Sequence, residues 1–303
     1  MADKAKSVSE FLEVFRCPYC KNSFRAVDLK SLKCPNNHTF DFAKQGYVNM
    51  MIRPSISHYN KALFEARQKM IMESHLYSLL HKEISNLIKE HLGESSSPSL
   101  ILDAGCGEGS HLQKIIEEAR NSSITGIGLD ISKEGILMAA KKYKNLIWLV
   151  GDVANAPFVD QSFQIILNIL SPSNYTEFKR LLAPNGLVMK VVPRSSYLKE
   201  LREALLNDTE KKVYQNDDIV YLFKKHFQLK DVISLRYTKK LEQTELEHFV
   251  QMSPLSWTSN QADIEAFILK GFSEVTIDLD ILIGLNKKNE EKSEVINNGK
   301  SMS

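Results

Sequence analysis

Residues 102–111 read LDAGCGEGSH, and the fold of most of the chain depends on how that run is read. The residues before it, SLI, extend an apolar run suited to a buried strand. The residues after it, in SHLQKIIEEA, place apolar side chains at helical spacing. Between them stand Gly105, Gly107 and Gly109. Glycines there let the main chain turn sharply from strand to helix and let a ligand approach the backbone. Strand, glycine turn and helix in this order bind nucleotides, and by themselves they do not choose among them.

The alternation continues outward from the turn. ITGIGLDIS predicts a strand, KEGILMAAKKY a helix, and NLIWLVGDV and FQIILNIL two strands. YTEFKRLLAPNG predicts a helix with a glycine stop, and LVMKVVP another strand. Such alternation predicts a parallel sheet covered by helices on both faces. Further on, SSYLKELREALL and DDIVYLFKKHF predict helices, and LKDVISLRYTKKL and EVTIDLDILIGLN predict strands. Before the turn, Leu63, Met70, Leu76, Leu80, Ile84 and Ile88 predict one long helix over residues 59–92, ended by the linker GESSSPS. The expected organisation is a zinc-ribbon module at 1–45, a connector and helical region at 46–97, the nucleotide-binding domain at 98–286 and a disordered polar tail at 287–303.

Four carboxylates sharpen the glycine turn. Asp103 precedes it and Glu108 lies within it. Asp130 ends the next strand, where a carboxylate can accept from both ribose hydroxyls. Asp152 follows the third strand, where a polar side chain can meet an adenine edge. Together these resemble the S-adenosyl-L-methionine site of class I methyltransferases. That resemblance implies a Rossmann-like α/β fold with a seven-stranded, mostly parallel sheet. NAD is the alternative ligand, but the G-x-G-x-x-G/A spacing fails because residue 110 is Ser. Cys106 has no base beside it in sequence and suits the turn as a small residue.

The second conspicuous run is RCPYCKNSFRAVDLKSLKCPNNH at residues 16–38. Cys17 and Cys20 are spaced C-x2-C, and Cys34 and His38 are spaced C-x3-H. Two such knuckles complete a tetrahedron of thiolates and imidazole, which is the chemistry of structural Zn(2+). Pro18 and Pro35 stiffen the two turns. Four protein ligands close the coordination shell, so the ion is structural rather than catalytic. Three clustered cysteines of a total of four fit a reduced compartment, and the start MADKAKSVSE lacks the apolar run of a signal peptide. The expectation is a cytoplasmic protein with no membrane partner. The net charge of +2 neither suggests nor excludes a nucleic acid.

Read together, CPYC, CPNNHTFDFAKQGYVNMM, LDAGCGEG, SPSNYTEFKRLLAPNG and QMSPLSW resemble the bacterial 23S rRNA guanine-N1 methyltransferases, a family that includes tylosin-resistance enzymes. The resemblance covers roughly residues 15–285. It implies methyl transfer from S-adenosylmethionine to N1 of a guanine in a 23S rRNA hairpin, with antibiotic resistance as an associated property. It implies zinc ligation by Cys17, Cys20, Cys34 and His38, and cofactor contacts at Gly107, Glu108 and Tyr197. A further cofactor contact falls at Leu76 or the adjacent Tyr77.

Asn168 and Ser171 lie at the end of the fourth strand, where substrate-facing residues belong, and Asn168 is the catalytic candidate. Arg16, Lys21, Arg25, Lys30, Lys33 and Lys44 make the zinc module locally basic. Tyr19, Phe24, Phe40 and Tyr47 can stack on bases or pack beneath the metal. A homodimer would present two zinc modules to one RNA. Two other readings compete: a small-molecule methyltransferase with a zinc appendage, and a non-catalytic zinc-ribbon RNA-binding protein.

Overall fold

The computed structural model describes residues 10–53, 59–93, 97–206, 215–257, 259–269 and 274–286. The tail expected from residue 287 lies outside them. Three short strands, β1 (Arg25–Val27), β2 (Ser31–Lys33) and β3 (Thr39–Asp41), form an antiparallel ribbon in the order β1-β2-β3. The connector then adds β4 (Val48–Asn49).

Two helices follow, α1 (Lys61–Met72) and α2 (Ser78–Leu92). The single long helix expected over residues 59–92 is therefore broken. Ser74 and Leu76 donate back to the carbonyls of Lys69 and Met70, both at 3.0 Å, and His75 takes a left-handed φ of 54°. A left-handed residue after a helix reverses the chain and satisfies its last carbonyls. Polar Glu73, Ser74 and His75 interrupt the apolar spacing at that point.

The main domain runs β5 (Ser99–Ala104), α3 (Ser110–Ala119), β6 (Ile124–Asp130), α4 (Lys133–Lys142), β7 (Ile147–Val150), β8 (Phe163–Ile169), α5 (Tyr175–Leu181) and β9 (Leu182–Pro193). It ends with α6 (Lys199–Leu205), α7 (Asp217–His226), β10 (Phe227–Lys240), α8 (Gln243–Met252), α9 (Gln261–Leu269) and β11 (Glu274–Asn286). Helix α5 stops earlier than expected, because residues 182–186 already belong to β9, where Leu182 pairs with Phe163.

The strands form one sheet in the order β10-β11-β9-β8-β5-β6-β7-β4. Strands β4 to β9 pair in parallel, and β11 joins β9 and β10 antiparallel. The sheet thus has eight strands where the sequence predicts seven. The eighth is β4, whose Val48 and Asn49 lie beside Leu149 and Val150 of β7. A two-residue strand has no periodicity to read, and it exists because β7 offers an unpaired edge.

Every residue of β5 is buried, as expected of a central parallel strand. One sheet face packs on α1–α4, α6, α8 and α9. The other packs on α5 and α7 and is continuous with Phe24, Leu32 and Phe40 of the ribbon. Strand order reverses at β5, between β6 and β8, so the ligand crevice lies beyond the carboxyl ends of these strands.

The glycine turn occupies that crevice. Gly109 has φ +79°, and a Cβ there would overlap the buried indole of Trp148. Left-handed strain and the clash act together, so Gly109→Ala is expected to destabilise the fold by about 3 kcal/mol in urea denaturation.

Candidate functional site

The turn is tied to β6 by its own backbone. Gly105 N donates to Leu129 O at 2.8 Å, and Gly107 N donates to Asp130 Oδ2 at 2.8 Å. Asp130 Oδ1 accepts from Ser132 N at 2.7 Å. Burial raises the Asp130 carboxyl, opposed by these two backbone donors. Its orientation is thereby set before any ligand arrives. Gly105, Gly107 and Gly109 all have positive φ.

Asp103 and Glu108 are buried beside the same turn. Arg67 of α1 reaches Glu108 Oε2 at 3.3 Å. Even so, both oxygens of Glu108 and Oδ1 of Asp103 lack an aligned hydrogen-bond donor. Burial pushes the Asp103 carboxyl up to about 7 against the opposing field of Arg67. Buried acceptors without donors are costly and call for a partner. The ammonium of S-adenosylmethionine supplies such donors and its sulfonium a further positive charge, so Asp103, Gly105, Gly107, Glu108 and Asp130 suit that cofactor.

Asp152 lies just beyond the carboxyl end of β7. Its Oδ1 caps a short turn through Ala154 N at 2.8 Å. The side chain lines a cavity of about 310 Å³ walled also by residues 50–53 of the connector and Asn155.

A larger cavity of about 510 Å³ opens beside the glycine turn, lined among others by Tyr59, Arg67, Tyr77, His111, Lys190 and Tyr197. The hydroxyls of Tyr77 and Tyr197 meet at 2.6 Å across 120 residues of sequence. Leu76 instead buries its side chain in the core, and its carbonyl accepts from Tyr237 Oη at 2.8 Å. Of the two adjacent candidates, Tyr77 faces the cavity.

Asn168 is also placed differently from the sequence expectation. It is fully buried. Nδ2 donates to Ala104 O at 2.8 Å, and Oδ1 accepts from Ser173 Oγ at 2.8 Å and Lys190 Nζ at 2.6 Å. Its groups are consumed inside the protein. Among those partners, Asn168 holds the Lys190 ammonium or amine through Oδ1.

Sequence reasoning missed several cavity residues. Arg67 gave no signal beyond an ordinary helical charge. His111, in the first turn of α3, bonds His81 of α2 through ring nitrogens 2.8 Å apart, and burial lowers both, His81 to about 3. Tyr59 and Trp257 are 41% and 45% exposed and meet edge to face at 5.2 Å, with Tyr59 on the cavity wall. Trp257 belongs to the QMSPLSW run already noted.

The zinc candidates converge. One donor atom from each of Cys17, Cys20, Cys34 and His38 lies within 4.8 Å of all the others. Cys20 Sγ and Cys34 Sγ are 3.6 Å apart, and His38 Nδ1 is 3.5 Å from Cys17 Sγ and 3.4 Å from Cys34 Sγ. Zn–S bonds of ~2.3 Å and Zn–N bonds of ~2.0 Å give tetrahedral edges of about 3.8 and 3.5 Å. The donor set and its size fit zinc. Lys21 and Asn37, both with positive φ, close the two knuckles.

The ribbon is docked against the main domain. Arg16 N donates to Pro157 O at 3.0 Å, Asn155 Nδ2 donates to Pro18 O at 3.3 Å, and Tyr19 Oη donates to Ile52 O at 3.3 Å. Phe24, Phe40 and Tyr47 are buried, so they pack rather than stack on a ligand. Tyr19 stacks on His38 yet stays 50% exposed.

Residues 15–53 match the family described as RlmA, N-terminal, and residues 101–186 match a methyltransferase domain. YxjB of Bacillus subtilis, which carries the name 23S rRNA (guanine-N(1)-)-methyltransferase provisionally, is 42% identical over 90% of this chain and 97% of its own. The 23S rRNA (guanine(748)-N(1))-methyltransferase of Streptomyces fradiae is 30% identical over 92% of this chain and 98% of its own. With the glycine-turn site, the zinc cluster and end-to-end similarity in agreement, the chain belongs to the bacterial 23S rRNA guanine-N1 methyltransferase family.

Proposed function

We propose that this protein transfers a methyl group from S-adenosylmethionine to N1 of a guanine in a hairpin of 23S rRNA. The observation that carries this reading is the joining of two sites. A cofactor crevice with buried carboxylate oxygens that lack hydrogen-bond donors opens on a cavity of about 510 Å³, and a zinc ribbon is docked on the same domain. When bound, the cofactor supplies an electrophilic methyl group on a sulfonium. Asp130 would orient the ribose, Asp152 would meet the adenine, and Asp103 and Glu108 would face the cationic end. Tyr77 and Tyr197 would close the cavity beside the cofactor.

The protein's own part is alignment and exclusion of water. The exposed basic residues Lys21, Arg25, Lys30 and Lys44 of the ribbon would follow the phosphates, and Tyr19 would offer a ring to an unpaired base. A small-molecule substrate would leave that basic surface unused. No helix among the described residues is long and apolar enough to cross a membrane, and the place of action would be the cytoplasm, with the ribosomal RNA. A homodimer would bring two ribbons to one RNA, and sedimentation velocity reads this directly.

The test is a tritiated-methyl assay on unmodified 23S rRNA fragments, followed by nucleoside mass spectrometry. N1-methylguanine is the expected product, and its absence sinks the reading. Tyr59 and Trp257 form an exposed aromatic pair at the cavity mouth. Stacking contributes ~1–3 kcal/mol per base, so Trp257→Ala should weaken hairpin binding about tenfold at fixed salt. Cofactor affinity should not move. Fluorescence anisotropy that shows equal RNA affinity removes Trp257 from the interface.

A further inference from the structure

Methylation of guanine N1 leaves one proton to be placed, and the residues assigned so far do not take it. Lys190 is buried in the C-terminal half of β9, opposite Asn168 of β8 and Leu282 of β11, and neither neighbour is charged. Lys190 lines the large cavity, as does Ser171, whose carbonyl its Nζ reaches. Nζ donates to Asn168 Oδ1 at 2.6 Å and to Ser171 O at 3.1 Å. Among the described residues no carboxylate forms an ion pair with it. A neutral amine has two hydrogens and one lone pair. With both hydrogens given to these acceptors, the lone pair is the valence left for a ligand in the cavity.

We infer that Lys190 is the catalytic base, its Nζ lone pair taking the N1 proton of the guanine seated in the cavity. This assignment rests on the methyltransferase reading above. The guanine N1–H bond breaks and a new N–H bond forms on Nζ, giving an ammonium. The electron pair left on N1 forms the bond to the methyl group. The pair that held the methyl to the donor's sulfur stays on sulfur.

Other groups near the cavity are less suited. His111 is held by His81, and burial disfavours its protonated form. Tyr77 and Tyr197 bond each other and are both raised by burial. Arg67 pairs with Glu108, Arg194 pairs with Asp278 and Asp280, and Arg202 donates to Ser195 O. Asp103 is buried beside the turn rather than on the cavity wall. Burial brings the Lys190 ammonium down to about 8, within the range to which enzymes tune a lysine base. The neutral form is the active one, so activity is lost as pH falls through that value and is full above it.

The test measures single-turnover rates with the full chain and a hairpin transcript. Lys190→Arg keeps charge and donors but offers no lone pair. It should slow methyl transfer by about 100-fold or more, with S-adenosylmethionine affinity by calorimetry held within about twofold. A rate within about threefold of wild type overturns the assignment. The wild-type profile decides the matter even if the variant misfolds. The rate should rise about tenfold per pH unit and level off near 8. A flat profile below that point, or one that climbs on without levelling, overturns the role. If wild type makes no N1-methylguanine at any pH, the functional reading falls and takes this assignment with it. If Lys190→Arg makes it as fast as wild type, only the base assignment falls.

Discussion

Cys34→Ser will release the zinc ion and unfold the ribbon, while the main domain keeps its cofactor site. The ribbon has three strands of three residues each and a small apolar interior of Phe24, Leu32 and Phe40, with Val14, Phe15 and Phe42 flanking it. So small a core cannot offset the conformational entropy of its chain. Metal ligation fills the deficit, with apparent binding energies of ~10–16 kcal/mol in comparable modules. Cys34 is a buried ligand whose backbone N also closes the second knuckle onto His38 O at 3.1 Å. Serine keeps the backbone but is a poor zinc ligand at neutral pH. A colorimetric zinc assay should find less than one equivalent bound, and trypsin should cut within residues 16–45. Methylation of the rRNA fragment should be lost, while calorimetry still detects cofactor binding. A zinc-free variant with a protease-resistant ribbon would falsify the structural role of the ion.

Asp130→Ala should lower S-adenosylmethionine affinity by about 100-fold, near 3 kcal/mol. Three effects add. The carboxylate proposed to hold the ribose hydroxyls is gone, and hydrogen bonds to a charged acceptor contribute ~1.5–3 kcal/mol. The amides of Gly107 and Ser132 lose their acceptor, at 2.8 and 2.7 Å. The glycine turn, no longer tied to β6 at that point, must then be ordered by the ligand itself. Asp130→Asn retains one acceptor oxygen and should fall between the two. Calorimetry reads both values, and wild-type affinity in the alanine variant would remove Asp130 from the cofactor site.

Much of the architecture was legible because its signals are local. The helix predicted from SHLQKIIEEA and the strand from EVTIDLDILIGLN match α3 and β11 residue for residue. Hydrophobic period and turn chemistry lie within each segment, so neighbours in sequence suffice to read them. The zinc ligands were legible for the same reason, since each knuckle is a short loop of fixed spacing. The misreadings fall where a distant partner decides. The helix break at His75 sends Leu76 into the core beneath Tyr237 and Tyr77 towards Tyr197. Strand β4 needs the edge of β7. Asn168 has the position of a substrate contact, but Lys190 and Ser173 claim its side chain.

By itself the sequence determined the class of fold, the set of clustered zinc candidates, the glycine turn proposed to receive the cofactor and the family to which these belong. Each rests on short local stretches, taken one by one along the chain, within which spacing alone dictates geometry. Only the tertiary structure decided which groups face one cavity. Arg67 meets Glu108 and Tyr77 meets Tyr197 because α1 and α2 pack against the sheet, and Lys190 lies against Asn168 because β8 and β9 pair in register there. The chemistry of those side chains follows from their desolvation and their neighbours. A linear chain carries neither until the sheet closes the crevice around them.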